Sequence, residues 1–337
     1  MIKQNIAETP NTIYGKRTNY AEEVLFKALG ESYIEYRKKW VKASKRELVT
    51  EFPLYIQIEH IGKCNLRCPT CIQGIDSIRK TYSHDFKPLD IELYKKIIDE
   101  AKQYKCPSIA FHNNDEPLLL NDLEERIRLA KEAGFLDIIM TTNATLLNKK
   151  RALKLLKTGI TKINFSVDSF NEEDYSQRRL GGDFNTVLSN INYFTEHKKK
   201  QNLKLPITRA TCVLTKHSVV NMDKFREFWM NKVDMVEFQN FQAIKNWTEG
   251  FKSPTAKVDT DFICNAPWQQ LVIRANGDVL SCCSFYGIEM IVGNIKKSSL
   301  YDIWNSALIA KIRKELLKNN FNFSSVCKKC SETRYVI

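Results

Sequence analysis

Three cysteines lie close together early in the chain, in the segment IEHIGKCNLRCPTCIQG. Their spacing, Cys64-x3-Cys68-x2-Cys71, lets one loop wrap a metal centre. Thiolates are the soft ligands that iron–sulfur clusters use. Three thiolates around a four-iron cube leave one iron without a protein ligand, and an open position is where a metal binds substrate. The segment therefore predicts a catalytic iron–sulfur cluster.

Zinc is the alternative metal for this segment. A structural zinc site needs a fourth ligand, and the nearby candidates are His60, His84 and His112. Three buried structural cysteines with no metal are the remaining interpretation, and the loop context of the three residues disfavours it.

A second group of cysteines occupies the last quarter of the chain: Cys264, Cys282, Cys327 and Cys330. The first two flank a predicted β-hairpin, and the last two form a C-x2-C pair. A hairpin and a short turn can together supply four ligands, and by spacing alone zinc and iron–sulfur fit this group equally well. Four thiolates would saturate a cluster, so we expect it to transfer electrons.

Three cysteines lie outside both groups. Cys283 follows Cys282 directly, and because side chains alternate along a strand, only one of these two should be a ligand. We expect Cys283 and Cys212 to be small buried side chains. Either one is also a candidate hydrogen-atom donor if the protein is an epimerase. We expect Cys106 to be structural.

Six strand-like segments alternate with helix-like segments from Pro53 to about Phe241. The predicted strands are Tyr55–Ile61, Ser108–Asn113, Asp137–Thr142, Lys162–Asp168, Ile207–Leu214 and Met235–Phe241. This alternation predicts parallel strands joined by right-handed crossovers, in a barrel-like or an open doubly wound sheet. Both arrangements gather chemistry at the carboxyl ends of the strands.

The flanking segments have a different character. Residues 1–52 are interpreted as a helical extension that packs on the main domain, because apolar residues recur there at helical spacing. Residues 53–245 form the predicted barrel. Residues 246–337 form a smaller domain with a hairpin at Asn276-Gly277 and a helix at about Leu300–Asn319.

The composition limits the classes of protein. The chain has 337 residues and a formal net charge of +13, which suits nucleic acid or an anionic substrate but is spread along the sequence. It has no apolar stretch of membrane-spanning length and no signal-peptide pattern, so we expect a cytoplasmic protein without a membrane partner. In a reducing compartment, ten cysteines indicate metal binding or catalysis rather than disulfides.

The triad resembles the CxxxCxxC signature of the radical SAM superfamily, and the resemblance covers most of residues 53–330. It implies a partial (β/α)6 TIM-like barrel of the α/β class, with a 4Fe-4S cluster on the triad and S-adenosylmethionine (SAM) on the open iron. In this family the reduced cluster cleaves SAM, and the resulting 5′-deoxyadenosyl radical abstracts hydrogen from an unactivated carbon. The resemblance also implies a flavodoxin- or ferredoxin-type reductant. Thr70 departs from the family, which usually has an aromatic residue there.

The same resemblance implies a SAM site at the strand ends, made of Asn114, Asp115, Glu116, Asn143, Ser166, Asp168 and Arg179. The segment Asn114–Pro117 stands where the family has Gly-Gly-Glu-Pro. Asn143 ends a turn like the family's Thr-Asn-Gly, and Ser166 with Asp168 resembles its Ser-x-Asp. Arg179, or its neighbour Arg178, would pair with the SAM carboxylate, a task that suits a planar fork of permanent charge.

The C-terminal region resembles the SPASM and twitch extensions of radical SAM enzymes. With four or five suitable cysteines rather than seven, it resembles the twitch domain of 2-deoxy-scyllo-inosamine dehydrogenases, which carries one auxiliary 4Fe-4S cluster. This implies oxidation of a sugar or aminocyclitol carbinol, with the auxiliary cluster as electron acceptor. Epimerisation, or maturation of a ribosomal peptide, is the alternative. The first 52 residues are shorter than the leader-binding domain that such maturases usually carry.

The general base for such an oxidation is open on sequence alone. Glu59, His60, Arg209 and Gln239 lie in predicted strands, and alternation allows at most one of Glu59 and His60 to face the barrel interior. A zinc-containing nucleic-acid-binding module is the competing class of function. It explains the basic charge and the C-x2-C pair, but not the open triad or the strand-end motifs.

Overall fold

The computed structural model describes residues 12–14, 18–82 and 87–337. The strands it describes are β1 (Thr12–Tyr14), β2 (Tyr55–Ile58), β3 (Ser108–Phe111), β4 (Asp137–Thr142), β5 (Lys162–Ser166), β6 (Ile207–Val213), β7 (Met235–Gln239), β8 (Lys257–Val258), β9 (Gln270–Ile273), β10 (Asp278–Leu280), β11 (Ile291–Asn294) and β12 (Tyr335–Val336). The α-helices are α1 (Thr18–Ser44), α2 (Asp76–Tyr82), α3 (Ile91–Gln103), α4 (Leu123–Glu132), α5 (Lys149–Leu155), α6 (Glu172–Arg178), α7 (Phe184–Lys200), α8 (Met222–Met230), α9 (Ala266–Gln269), α10 (Leu300–Trp304), α11 (Ala307–Leu317) and α12 (Ser325–Glu332). His84, a possible zinc ligand, lies outside the described residues.

Strands β2 to β7 lie side by side, parallel and in sequence order. These are the six predicted strands, and the predicted α/β class with a partial (β/α)6 barrel is confirmed. Several strands end earlier than predicted, because the chain leaves the sheet there to form the loops at their carboxyl ends.

The barrel strands turn alternate side chains inward. On β2, Tyr55 and Gln57 line a cavity inside the barrel, whereas Ile56 belongs to the apolar core. The register places Ser108 and Ala110 of β3 beside Tyr55 and Gln57. Because these two inward residues are small, the barrel interior keeps open space next to β2.

Helix α1 closes the amino-terminal end of the barrel. It is kinked at Gly30, whose φ of 71° is easily adopted only by glycine. The Tyr33 hydroxyl lies 3.2 Å from the ammonium of Lys162, the first residue of β5. The Trp40 ring packs edge-on against Tyr55, the first residue of β2, at a centroid distance of 6.0 Å. The N-terminal extension therefore packs against the strand starts.

The C-terminal hairpin continues the barrel sheet. Strand β9 pairs in parallel with β2, and β10 and β11 follow it antiparallel. At the opposite edge, β1 pairs antiparallel with β7. The boundary predicted at residue 245 is therefore not a break in the sheet, and the division into domains stays a prediction.

The helices after the hairpin differ from the expectation. The single helix predicted at about Leu300–Asn319 is wrong, because α10 ends at Trp304 and Ser306 caps a new helix by accepting the amide of Ile309. The C-x2-C pair, expected in a short turn, lies on α12. Among the described helices, none has the length and apolar character needed to cross a bilayer.

Candidate active site

The cysteine triad lies in the loop between β2 and α2, at the carboxyl end of the first barrel strand. The loop is tightly wound: the amide of Cys71 donates to the carbonyl of Cys68 at 3.0 Å. The amide of Leu66 donates to the Cys64 thiol at 3.4 Å. A Cβ at Gly74 would lie 2.2 Å from the Cys68 carbonyl oxygen, so only glycine allows this close return of the chain.

Two side chains from later segments reach the triad, Asn143 directly after β4 and Arg179 directly after α6. The Asn143 amide lies 3.7 Å from the Cys64 sulfur, and the Arg179 guanidinium lies 3.9 Å from the Cys68 sulfur. Nε of Arg179 is buried and has no hydrogen-bond partner within the described part of the chain. The site thus offers three sulfur donors, together with a buried N–H that a bound anionic group would satisfy.

Burial dominates the protonation of the triad. It raises the pKa of Cys64 to about 12, and that of Cys68 to about 11, although the charge of Arg179 opposes the rise for Cys68. Without metal these groups are neutral thiols. Bound iron would hold them as thiolates, because a coordinating thiol is deprotonated by the metal charge.

The donor set fits a cluster. In residues 12–14, 18–82 and 87–337, no three His, Cys, Asp or Glu side chains are spaced to share a single metal ion. A four-iron cube does not require that spacing, because each thiolate binds a different iron. His60, one of the zinc ligands considered above, is instead stacked on Phe111 at 4.9 Å and contacts Tyr94.

Asp168 of the expected SAM site lies beside the triad, against Arg179. Asp168 pairs with Arg179 at 2.7 Å and accepts the amide of Val213 at 2.8 Å. Arg178, the alternative to Arg179, pairs instead with Asp174 at 2.8 Å. The two arginines therefore have different surroundings, and of the two it is Arg179 that reaches a triad sulfur.

The carboxylate of Glu116 contacts protein groups. It accepts hydrogen bonds from the Thr142 hydroxyl at 2.6 Å and from the backbone amide of Asn143 at 2.8 Å. Burial raises the pKa of Glu116 to about 7. Its contacts fix the turn after β4, which carries the Asn143 side chain towards Cys64. The half-buried Ser166 ends the neighbouring strand β5.

Asp115 also holds backbone. Its carboxylate accepts the amides of His60, Ile61 and Asn113 at 2.9 to 3.1 Å, and burial raises its pKa to about 6. The carbonyl of Asn114 accepts the side-chain amide of Gln73, which comes from the cluster loop, at 2.6 Å. In this arrangement Asp115 positions the start of the cluster loop.

A cavity of about 440 Å³ lies inside the barrel, between α1 and the inward faces of the strands. Three pairs of opposite charges line it: Glu22 with Arg37 at 3.9 Å, Asp137 with Lys162 at 2.8 Å, and Glu237 with Arg209 in direct contact. Amide side chains of Gln57, Asn113 and Gln239 complete the polar wall. A volume of this size suits a small-molecule ligand.

Cys283 faces this cavity, and the expectation that it is a small buried side chain is wrong. Its thiol is exposed and lines the cavity wall, whereas Cys282 next to it turns towards Cys264 and Cys330. The two side chains point to different surroundings, but not through strand alternation as expected, because β10 ends at Leu280 and both cysteines lie in the bend after it. Cys212 is buried against the Asp168 carbonyl at 3.5 Å and does not line the cavity, and Cys106 is buried.

The structure brings together the four cysteines of the second group. Cys327 and Cys330 lie on α12, which packs against the turn at Phe285–Glu289 that follows Cys282. Burial raises the pKa of Cys264 to about 12, and the nearby Cys330 and Cys327 contribute to the rise. A Cβ at Gly287 would lie 2.7 Å from the Cys282 sulfur, so glycine keeps space for that side chain.

The expected candidates for a base have separate positions. Arg209 and Gln239 line the cavity, and His60 faces the opposite side of the sheet, as its ring contacts show. Glu59 is fully buried, 3.3 Å from Asn113 and 3.6 Å from Arg274. Burial, with the charge of Asp115, raises the pKa of Glu59 to about 8.

Five charged residues of the cavity were not predicted from the sequence: Glu22, Arg37, Asp137, Lys162 and Glu237, the partner of Arg209. The inward alternation along β4, β5 and β7 was the available signal for the strand residues. Nothing in the sequence indicated that α1 would contribute the other two.

The comparisons with known proteins identify two family regions. Residues 58–224 match the model of the radical SAM superfamily, and residues 264–331 match the SPASM model, an iron–sulfur cluster-binding domain. A tungsten-containing aldehyde ferredoxin oxidoreductase cofactor-modifying protein of Pyrococcus furiosus is 23% identical, over 82% of this chain and 87% of its own length. GTP 3′,8-cyclase of Clostridium botulinum is 31% identical over 138 residues, which are 41% of this chain and 42% of the cyclase.

Solved structures share the fold at low identity. BtrN in complex with AdoMet and 2-DOIA is 19% identical with a TM-score of 0.55, covering 84% of this chain and 94% of that one. SuiB of Streptococcus suis bound to S-adenosylmethionine is 20% identical with a TM-score of 0.66, covering 88% and 76%. The radical SAM and SPASM regions of the chain imply 4Fe-4S clusters and SAM as its cofactors. The chain belongs to the radical SAM superfamily and carries a SPASM iron–sulfur domain.

Proposed function

We propose that this radical SAM enzyme oxidises a carbinol of a small polyhydroxylated substrate, such as a sugar or an aminocyclitol, to a ketone. The observation that carries the proposal is the polar cavity of about 440 Å³ inside the barrel, with its three pairs of opposite charges. Cys283, next in sequence to a cysteine of the second group, lines the same cavity.

The proposed ligand sets are the two cysteine groups. Cys64, Cys68 and Cys71 would hold the SAM-binding cluster, and the four cysteines of the second group would hold the auxiliary one: Cys264, Cys282, Cys327 and Cys330. When bound, these cofactors supply a radical that removes hydrogen from carbon and an acceptor for the electron left behind. A flavodoxin- or ferredoxin-type protein is the proposed reductant.

The chain's own task at the substrate is to orient it and to take one proton. The amides of Gln57 and Gln239 can donate to and accept from hydroxyl groups. Glu237 is the carboxylate we propose as the acceptor of the carbinol proton, since it lines the cavity on β7 and receives the Gln239 amide at 3.2 Å. One hydrogen atom, one proton and one electron then leave the substrate, which balances a two-electron oxidation.

The charge of the cavity favours this class of substrate over a nucleotide. Three cations, Arg37, Lys162 and Arg209, each face a carboxylate in the same wall. Paired donors and acceptors suit the hydroxyl and amino groups of a neutral or singly charged polyol. A triphosphate, as in GTP, would need cations that no carboxylate neutralises. BtrN, solved with 2-DOIA, supports the choice by analogy of fold alone.

Epimerisation is the second candidate, because the Cys283 thiol faces the cavity. In that reaction the substrate radical would take a hydrogen atom from Cys283: the S–H bond breaks and a new C–H bond forms on the opposite face. The sulfur radical would then need one electron and one proton, supplied by the external reductant and by solvent. The buried Cys212 is the weaker donor candidate, since it does not line the cavity.

The substrate class can be tested on the anaerobic holoprotein, reduced and supplied with SAM. Neutral sugars, aminocyclitols, nucleoside triphosphates and short peptides are added separately, and 5′-deoxyadenosine is measured. We expect only polyols to raise its formation above the substrate-free rate, and the product to be two hydrogens lighter than the substrate. A response confined to nucleotides or to peptides would overturn the proposal.

A reaction in heavy water separates oxidation from epimerisation. For oxidation, Cys283→Ala retains turnover and the product is the ketone, two hydrogens lighter than the substrate, with no new hydrogen at the reacting carbon. For epimerisation, the product has the substrate's composition with one deuterium on carbon, and Cys283→Ala abolishes it. Cys106→Ala is the matched control, because that thiol is buried away from the cavity.

A further inference from the structure

Gln242 connects the last barrel strand to the auxiliary cysteine site. It lies three residues after Gln239, the end of β7, and its side-chain amide donates to the Cys330 sulfur at 3.1 Å. The oxygen of the same amide accepts the Ser284 hydroxyl at 3.4 Å, which fixes the amide with its N–H groups towards the sulfur. The backbone of Gln242 is also bridged to Arg334.

Arg334, the partner of Gln242 in that backbone bridge, also approaches the Cys330 sulfur. Its Nη1 lies 3.9 Å from the Cys330 sulfur, and its guanidinium stacks on Phe262, 4.1 Å from the ring centroid. Its Nε is buried and has no hydrogen-bond partner within the part of the chain that the structure describes. A buried N–H without an acceptor is costly, and the sulfur atoms of a cluster are acceptors that would satisfy it.

Donors aimed at a cluster sulfur change its redox behaviour. Reduction by one electron increases the negative charge on the cluster and its thiolates, and hydrogen bonds to the sulfurs stabilise that charge. Each such donor therefore raises the reduction potential. A positively charged donor such as Arg334 acts in the same direction as a neutral amide, through charge as well as through hydrogen bonding.

We propose that Gln242 and Arg334 are positioning residues that raise the reduction potential of the auxiliary cluster by donating to the Cys330 sulfur. A raised potential prepares that cluster to take an electron from a substrate. The role of this raised potential in catalysis rests on the proposed function. The test of the potential does not, because the potential is measured without substrate.

The test is a redox titration of the full-length holoprotein, followed by electron paramagnetic resonance. Spectra recorded with and without SAM assign the SAM-sensitive signal to the triad cluster and the other to the auxiliary cluster. Gln242→Leu removes the donor, and we expect the equilibrium constant for reduction of the auxiliary cluster to fall about tenfold, which is about 59 mV for one electron. Gln242→Glu places a carboxylate at the sulfur, and we expect a larger fall.

Arg334→Leu should also lower the potential, whereas Lys329→Met is the matched control. Lys329 precedes Cys330 and is positively charged, but it is exposed and pairs with Glu289 at 3.0 Å. Unchanged potentials in Gln242→Leu, Gln242→Glu and Arg334→Leu would overturn the proposal, as would an equal fall in Lys329→Met.

Iron content and the far-ultraviolet circular dichroism spectrum show whether a variant retains both clusters and the fold. If Gln242→Leu fails to load iron, Gln242→Asn keeps an amide at greater distance and should give a potential between those of wild type and Gln242→Glu. Resonance Raman spectra give a second readout, since loss of the donor should shift the iron–thiolate stretching bands. Unshifted bands in a fully loaded variant would contradict the inferred hydrogen bond.

Discussion

The two cysteine sites of this protein are built in different ways. The triad comes from one loop of eight positions, Cys64 to Cys71, and its surroundings include side chains that follow β4 and α6. The second site draws on segments far apart in sequence, from Cys264 beside α9 to Cys330 on α12. A local site can be recognised from spacing alone, whereas a dispersed site needs the hairpin, the turn at Phe285–Glu289 and α12 to be in place.

The sites also differ in completeness. The triad has three sulfur donors and adjoins the Asp168–Arg179 pair, whereas the second site has four thiols and two N–H donors near Cys330. The barrel cavity is lined by Cys283, which follows Cys282 of the second site. An open site suits cleavage of SAM, and a saturated site suits electron transfer. The following variants test this division.

The largest effect is expected for Cys68→Ala. Loss of one triad thiolate should reduce 5′-deoxyadenosine formation more than about a hundredfold, beyond the 10–100-fold typical of losing an outer partner of a metal ligand. The auxiliary cluster should remain, with about half of the wild-type iron. Iron analysis and chromatography of the same sample check both expectations, and retained 5′-deoxyadenosine formation would contradict them.

Cys327→Ala should give the complementary result. Product formation is expected to stop and iron to fall by about half. Cleavage of SAM should continue, because the triad does not depend on α12. Measuring 5′-deoxyadenosine and product together tests this. If both vanish while the triad cluster is still loaded, the two sites do not have separate tasks.

Arg179→Met should weaken SAM binding. Loss of a charged hydrogen bond costs about 1.5–3 kcal/mol, which corresponds to about 10–100-fold in Kd. Arg178→Met is the matched control, because Arg178 pairs with Asp174 rather than with a triad sulfur. Equilibrium dialysis with SAM measures both variants. A larger loss of SAM affinity in Arg178→Met would assign the contact with the SAM carboxylate to Arg178 instead.

The smallest effect concerns the pH dependence of stability. Burial raises the pKa of Glu59 from 4.5 to about 8, so the folded protein binds a proton there that the unfolded chain has lost. The stability that this proton contributes is therefore present below about pH 4.5 and is lost as the pH rises through about 8. Glu59→Gln should flatten the fall in stability between these values.

Anaerobic urea unfolding at about pH 5 and about pH 9 measures the effect of Glu59→Gln. The exposed Glu132 gives the control variant Glu132→Gln, in which the free energy of unfolding should change with pH as it does in the wild type. If the free energy of unfolding of Glu59→Gln falls as steeply with pH as that of the wild type, Glu59 does not cause this pH dependence.

Much of the fold and of the triad could be predicted from the sequence. Strands such as Asp137–Thr142 stand out because apolar residues are dense between turn signals, and the triad is recognised because its three cysteines are close together in sequence. The positions of the α1 residues could not be predicted, since no local pattern says which face of a distant helix will cover a barrel. Alternation predicted that Cys282 and Cys283 diverge, but both follow the end of β10, and the path of that bend decides which of them faces the cavity.

Helix α12 was missed for a related reason. It has eight residues, and Val326 is its buried apolar side chain, so periodicity carries little signal. The contacts of Asp115 and Glu116 could likewise not be predicted from the sequence, because either carboxylate could have faced a ligand. Their hydrogen bonds to backbone amides depend on how the loop after β3, which carries both residues, approaches the loops after β2 and β4.

The account is tested most directly with an aminocyclitol or sugar that carries deuterium at the carbinol carbon. The holoprotein should transfer that deuterium to 5′-deoxyadenosine, and the product should lack one deuterium and one hydrogen. A product that retains the deuterium, or 5′-deoxyadenosine that carries none, would contradict the claim that the radical acts on a carbinol in the barrel cavity.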